Sequence, residues 1–140
     1  MTLYDAIGGG AGAHALAHHW HERVLADPVV SHAFHHGFRE DHTERLAAYW
    51  AEALGGPPTF SQTMGTESEV VRIHSGNGPH DEMDRRAVEC FALALQDAGV
   101  PAEHHARLVE WFRDANDYVN HHYESPDDVP DGLQVPVVVE

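Results

Sequence analysis

The sequence predicts an all-α domain, and three observations carry that prediction. Four long stretches repeat apolar residues at the spacing of a buried helical stripe, clusters of glycine and proline separate them, and no two segments read as a pair of alternating strands. A chain of 140 residues fits one domain, since at that size folding buries roughly 68–70% of the surface the unfolded chain exposes.

Leu3–Ile7 opens the chain, and Gly8, Gly9 and Gly10 stop any helix formed there. From about Ala13, the series Ala13, Leu16, Ala17, Trp20 and Val24 has helical period and runs into Asp27-Pro28, which predicts the first long helix. Val29–Phe34 reads as a short apolar helical turn with Asp27 as its cap. Across Arg39–Leu54, the stripe Leu46, Tyr49, Trp50, Ala53 and Leu54 predicts the second long helix, ended by Gly55-Gly56-Pro57-Pro58. Thr59–Glu67 is polar and reads as a loop. Ser68–His74 follows as a short amphipathic helix that Gly76-Asn77-Gly78-Pro79 breaks.

Met83, Ala87, Cys90, Phe91, Ala94 and Ala98 form the third long stripe, closed by Gly99, and Leu108, Trp111, Phe112, Ala115, Tyr118 and Val119 form the fourth. The final segment, SPDDVPDGLQVPVVVE, has proline and no helical period. The expected organisation is therefore a helical domain over residues 1–123 and an extended or disordered tail over 124–140.

Lys+Arg 8 against Asp+Glu 23 gives a formal net charge of -15. Phosphate backbones and anionic membrane surfaces repel such a chain, so nucleic acid and membrane are excluded as expected partners. No run approaches the ~20 apolar residues of a membrane span. The single cysteine, Cys90, forms no internal disulfide, and MTLYDAIGGG is not a secretory signal, which together predict a cytoplasmic protein. Cys90 lies on its helix's apolar stripe and reads as a small buried hydrophobe.

The unusual count is His 14, because histidine titrates near neutrality and is a frequent metal ligand. His18 and His19, His35 and His36, His104 and His105, and His121 and His122 come as adjacent pairs. Neighbours on a helix point about 100° apart, so these pairs are expected to be solvated rather than to share a metal. His74 differs, since it closes a short helix just before a glycine-proline break. Position alone also fits a histidine that caps a helix C-terminus through the dipole.

Four quoted segments change that balance. LYDAIGG near the start, WHERVLADPVVSHAF, TERLAAYWAEALGGP and VVRIHSG together resemble a truncated haemoglobin, most closely the group II branch, over roughly residues 2–122. GGP followed some twenty residues later by a histidine is specific in combination, and either half alone is weak. The resemblance implies a truncated-globin fold, a helical sandwich around a haem b pocket. It makes His74 the proximal iron ligand, Phe34 the aromatic packed on the haem face, His42 the first ligand-facing residue of the distal helix, and Leu46 the apolar contact one turn on.

His21 falls where the family commonly has a tyrosine that donates to bound ligand. Ala87 or Val88 falls where group II members carry a tryptophan. His42 and His21 are each expected either to donate an N–H to the ligand or to bind iron as a sixth ligand. Arg72, beside the proximal histidine, is the expected partner of a haem propionate. Trp20, Trp50, Trp111 and Phe112 are expected mainly in the core.

The function implied is binding of dioxygen or another diatomic ligand, with nitric-oxide dioxygenation or peroxidase-like chemistry as alternatives that need an external reductase. GGGAGAH lacks a preceding strand and a Lys-Ser/Thr ending, so it is a poor phosphate loop. Two other classes stay open. His18 and Glu22, four apart, fit a non-haem iron helical bundle, although the inward Glu-x-x-His repeats of such bundles are missing. A haem-free globin-like interaction module is the other, with Val137–Val139 docking on a partner or on a second copy in a homodimer.

Overall fold

The computed structural model describes residues 1–34 and 37–138, so the pair His35 and His36, and Val139, lie outside the described residues. The described residues form helices and turns with no strand: α1 (Leu3–Ala6), α2 (Gly9–Ala26), α3 (His42–Ala53), α4 (Thr59–Thr63), α5 (Glu67–His74), α6 (Asp81–Asp97) and α7 (His105–His121). Short 3-10 turns cover Val30–Phe34, Ala102–His104 and Pro126–Asp128. The all-α expectation is met. α2 packs against α3 and α6, α6 against α7, and α5 against α7. No helix among the described residues is long and apolar enough to cross a membrane.

Most element ends follow local chemistry. α1 starts with a capping box in which Thr2 and Asp5 satisfy each other's backbone N–H groups. α2 begins at Gly9, ahead of the apolar stripe, because Gly8 takes a φ of 99° that other residues resist. A Cβ at Gly12 would sit 1.7 Å from the Ile7 carbonyl oxygen. Gly12→Ala should therefore force the α1–α2 elbow apart and lower stability by about 1–3 kcal/mol in urea unfolding.

The polar Thr59–Glu67 stretch, expected as loop, contains α4. Two bonds explain it: Glu52 is buried at the end of α3 and accepts both the Ser61 N–H (2.9 Å) and the Ser61 hydroxyl, which fastens the short helix to α3. Thr66 then caps α5 by accepting from the Glu69 N–H at 3.1 Å. Acidic Asp81, Glu82 and Asp84 in the first turn of α6 complement its dipole.

The core centres on aromatic rings from four helices. Phe91 of α6 is fully buried and stacks on Phe112 of α7, with centroids 4.4 Å apart and planes at 11°. Trp50 of α3 stands edge-on to Phe91 at 5.5 Å and to Trp20 of α2 at 5.6 Å. The Trp20 indole N–H donates to Ala87 O at 3.2 Å, so α2 and α6 are also pinned by a directed bond.

The segment after α7 is extended beyond Asp128, and it is packed on the body of the protein. Val129 and Val135 are buried, Val138 N–H donates to Ala53 O at 2.9 Å, and Leu133 N–H donates to Ser68 Oγ at 3.1 Å, while Ser68 Oγ donates to Pro130 O at 2.7 Å. Arg72 adds bonds to Val129 O (3.0 Å) and Asp131 Oδ1 (2.5 Å). The tail thus clamps the outer side of α5, the helix that ends in His74. Removing residues 129–140 should loosen α5 and lower the melting temperature, which thermal unfolding followed by circular dichroism measures.

Candidate functional site

A cavity of about 390 Å³ opens between α2, α3, α5 and α7, within the size range of cofactor and ligand pockets. α3 contributes His42, Leu46, Tyr49 and Trp50, whose spacing places them along one helical face. α5 contributes Val70, Ile73 and His74; α7 contributes Trp111, Phe112, Ala115 and Val119; and Trp20 comes from α2. The wall is mainly apolar and aromatic, with Arg39 and Arg45 as its cations. The Arg45 guanidinium stands 5.7 Å from the Phe60 ring centre, and Arg39 is paired with Asp41 at 2.8 Å.

His74 is held in one tautomer. Its Nδ1 lies 2.6 Å from Val70 O, and because a carbonyl only accepts, Nδ1 carries the proton. Burial pushes its pKa down, opposed by the bond to Val70, so the ring stays neutral at pH 7. A neutral ring with Nδ1–H has its lone pair on Nε2, and a carbonyl on the far nitrogen is the arrangement that orients a metal-binding histidine.

His42 shares the cavity, and its pKa falls to about 4, first through burial and then through His21 and His74, with Asp41 opposing. His21 is 7% exposed and does not line the cavity; its ring lies 4.6 Å from that of His42. Phe34 closes on both histidines, at 5.2 Å from His42 and 5.3 Å from His21, and Phe38 sits 4.6 Å from His21. Burial lowers the His21 pKa as well. Two buried nitrogens in this cluster, His21 Nε2 and His42 Nδ1, have no hydrogen-bond partner among the described residues.

These depressed values make a pH prediction for the protein with its cavity empty. Both rings bind protons more weakly folded than unfolded, so stability is fully present above pH 6.5 and is lost as pH falls from 6.5 toward about 4. His42→Phe should flatten that part of the acid unfolding curve.

A buried acid adjoins the cavity. Tyr49 OH donates to Glu67 Oε1 at 2.6 Å, and Glu67 is 1% exposed. Burial raises the Glu67 pKa, with the Tyr49 bond opposing and Glu52 reinforcing, and burial likewise pushes the Tyr49 phenol up. The pair therefore fixes the Tyr49 ring in the cavity wall.

Of the residues singled out from sequence, His74, His42 and Leu46 line one cavity, while His21 and Phe34 form the layer that supports His42. Arg72 is a correction: its guanidinium is turned to the C-terminal segment and does not line the cavity, where Arg39 and Arg45 stand instead. Trp20, Trp50, Trp111 and Phe112 do more than fill the core, since all four also line the cavity. α6 supplies none of the lining residues; Ala87 is buried beneath Trp20 and accepts its indole N–H. Tyr49 was legible as the next position on the His42–Leu46 face, but nothing in the sequence tied it to Glu67.

Comparison with known proteins identifies the family. The profile described as bacterial-like globin matches residues 2–121. A group 1 truncated haemoglobin of Mycolicibacterium paratuberculosis is 29% identical over 102 residues, covering 73% of this chain and 71% of the relative. The crystal structure of the haemoglobin of the thermophilic bacterium Chloroflexus aurantiacus superposes with a TM-score of 0.72 at 27% identity, over 85% of this chain and 97% of that one. A group II truncated haemoglobin of Bacillus anthracis shares the fold at a TM-score of 0.74 and 20% identity, over 85% of this chain and 89% of its own. With the profile match, these relatives and the shared fold in agreement, the chain belongs to the bacterial-like globin family, the truncated haemoglobins, whose common property is haem-based binding of diatomic ligands.

Proposed function

We propose that this globin holds haem b with His74 as the proximal iron ligand and binds dioxygen or another diatomic ligand beside His42. The observation that carries the reading is the locked tautomer of His74, with Nδ1 donating to Val70 O at 2.6 Å on a ring that lines a mainly apolar cavity. Haem, when bound, supplies the iron that takes the diatomic ligand. Trp20, Leu46, Trp111 and Phe112 exclude water around it, and Arg39 and Arg45 are the cations placed to offset its propionates.

His42 supplies the hydrogen bond. It is neutral at pH 7, and its Nδ1 is buried without a partner among the described residues. A buried N–H without an acceptor is rarer than an acceptor without a donor, so the proton belongs on Nε2, the nitrogen left to donate to a bound ligand. His21, wedged between Phe34, Phe38 and His42, holds that ring in place. His42→Leu should raise the dioxygen dissociation rate several-fold, matching a net hydrogen bond of about 1 kcal/mol. Stopped-flow displacement by carbon monoxide measures it, and an unchanged rate transfers the donor role to His21 or a water.

The whole reading is tested by the absorption spectra of the purified protein in ferric, ferrous and carbon-monoxide-treated forms. A Soret band that shifts on reduction and again with carbon monoxide is expected. A protein that takes up no haem on reconstitution overturns the proposal.

A further inference from the structure

The adjacent histidines His18 and His19, expected from helix geometry to point apart, are brought together by a third residue. His18 Nε2 lies 3.2 Å from Glu22 Oε1, and His19 Nδ1 lies 3.4 Å from the same oxygen. Their rings stand 5.4 Å apart, edge to face. Among the described residues this is the set of three whose ligand atoms all lie within 4.8 Å of one another.

The distances have a chemical meaning. Two ligands at about 2.0–2.2 Å from a tetrahedral zinc ion lie roughly 3.3–3.6 Å apart, and the nitrogen-to-oxygen distances of 3.2 and 3.4 Å fall at or close to the short end of that range. The spacing explains how α2 achieves it: Glu22 is four residues from His18 and three from His19, so a single carboxylate between the two rows of the helix surface reaches both rings.

We propose that His18, His19 and Glu22 form a surface site for a divalent transition cation of the zinc class, separate from the haem cavity. Two imidazoles and one carboxylate are a donor set for zinc, copper or nickel rather than for calcium or magnesium, which require oxygen ligands. The side chains are accessible, with His18 53% and Glu22 60% exposed, so an ion reaches them from solvent and water completes its coordination. The formal charge of -15 draws cations to the protein. None of the three residues lines the haem cavity, although His21, which supports His42, lies on the same helix.

The test uses the haem-loaded protein, so that the cavity histidines are occupied. Titration with zinc sulfate, followed by calorimetry, should show one site that His18→Ala and Glu22→Gln each weaken by at least on the order of tenfold. Cobalt(II) should give the visible bands of a low-coordinate nitrogen and oxygen site, absent in both variants. His104→Ala, at another histidine pair, should leave the titration unchanged. An unaltered Soret band shows that each variant is folded. Failure of wild type to bind zinc, or equal binding by the His18 and Glu22 variants, overturns the proposal, and neither result touches the haem assignment.

Discussion

Replacing His74 with alanine should leave a folded protein that no longer keeps haem. The expected loss of affinity is more than about 100-fold, beyond the roughly 10–100-fold that follows when only the hydrogen-bond partner of a metal ligand is removed. The fold should survive. α5 is capped by Thr66 at its start, and at its end the Ser75 N–H and hydroxyl both bond Val71 O, so the helix does not rely on the His74 ring. The C-terminal segment also grips α5 through Ser68 and Arg72, on bonds the substitution does not touch.

Imidazole added in solution should enter the vacated space and restore a haem spectrum, because the apolar wall from Trp20, Leu46 and Trp111 remains. His42→Ala is the matching control, expected to keep haem and change only ligand kinetics. A His74→Ala protein with wild-type haem affinity and spectrum would sink the ligand assignment, and would point instead to His42 as the residue on iron.

How much of this was legible in the sequence depends on whether one helix or several were involved. The long amphipathic stripes, the glycine-proline breaks and the end of α5 at His74 are properties of single segments, and they were readable from period and capping alone. The placement of His74, His42 and Leu46 around one cavity followed from the resemblance of four segments, not from any one of them. What stayed hidden came from contacts between distant residues. Arg72 was read beside His74 by proximity in sequence, but residues two apart on a helix do not share a face, and its partners are 57 and 59 residues away.

α4 was hidden for the same reason, since its polar residues are held by the buried carboxylate of Glu52. The tail was read from its prolines and lack of period, as an extended or disordered segment. They carry no information about the bonds from Ser68 and Ala53 that fix it. The pairing of His18 and His19 through Glu22 was half visible, because the i to i+4 spacing was noted while the second ring was assigned to solvent.

The pocket and the core are one aromatic block, and Phe91→Ala should show it. Phe91 has no exposed surface and contacts Phe112, Trp50 and Trp111, three residues that line the cavity from the far side. Truncating a buried phenylalanine costs about 3–5 kcal/mol, because the transfer energy is lost and the surrounding rings do not fully collapse into the space. Against a total stability of about 5–15 kcal/mol, that is a large share, and for a chain of this size the melting temperature should fall by roughly 10 °C or more.

The more discriminating expectation concerns the haem. Phe112 loses the ring stacked at 4.4 Å and Trp50 loses its edge contact at 5.5 Å, so both gain freedom at the cavity wall. Haem dissociation should therefore accelerate in Phe91→Ala although Phe91 never touches the cavity. Phe91→Leu refills most of the volume, and it should recover most of the stability and slow haem loss again. If Phe91→Ala lowers the melting temperature but leaves the haem dissociation rate unchanged, the wall is held by α3 and α7 alone, and the coupling between core and pocket fails.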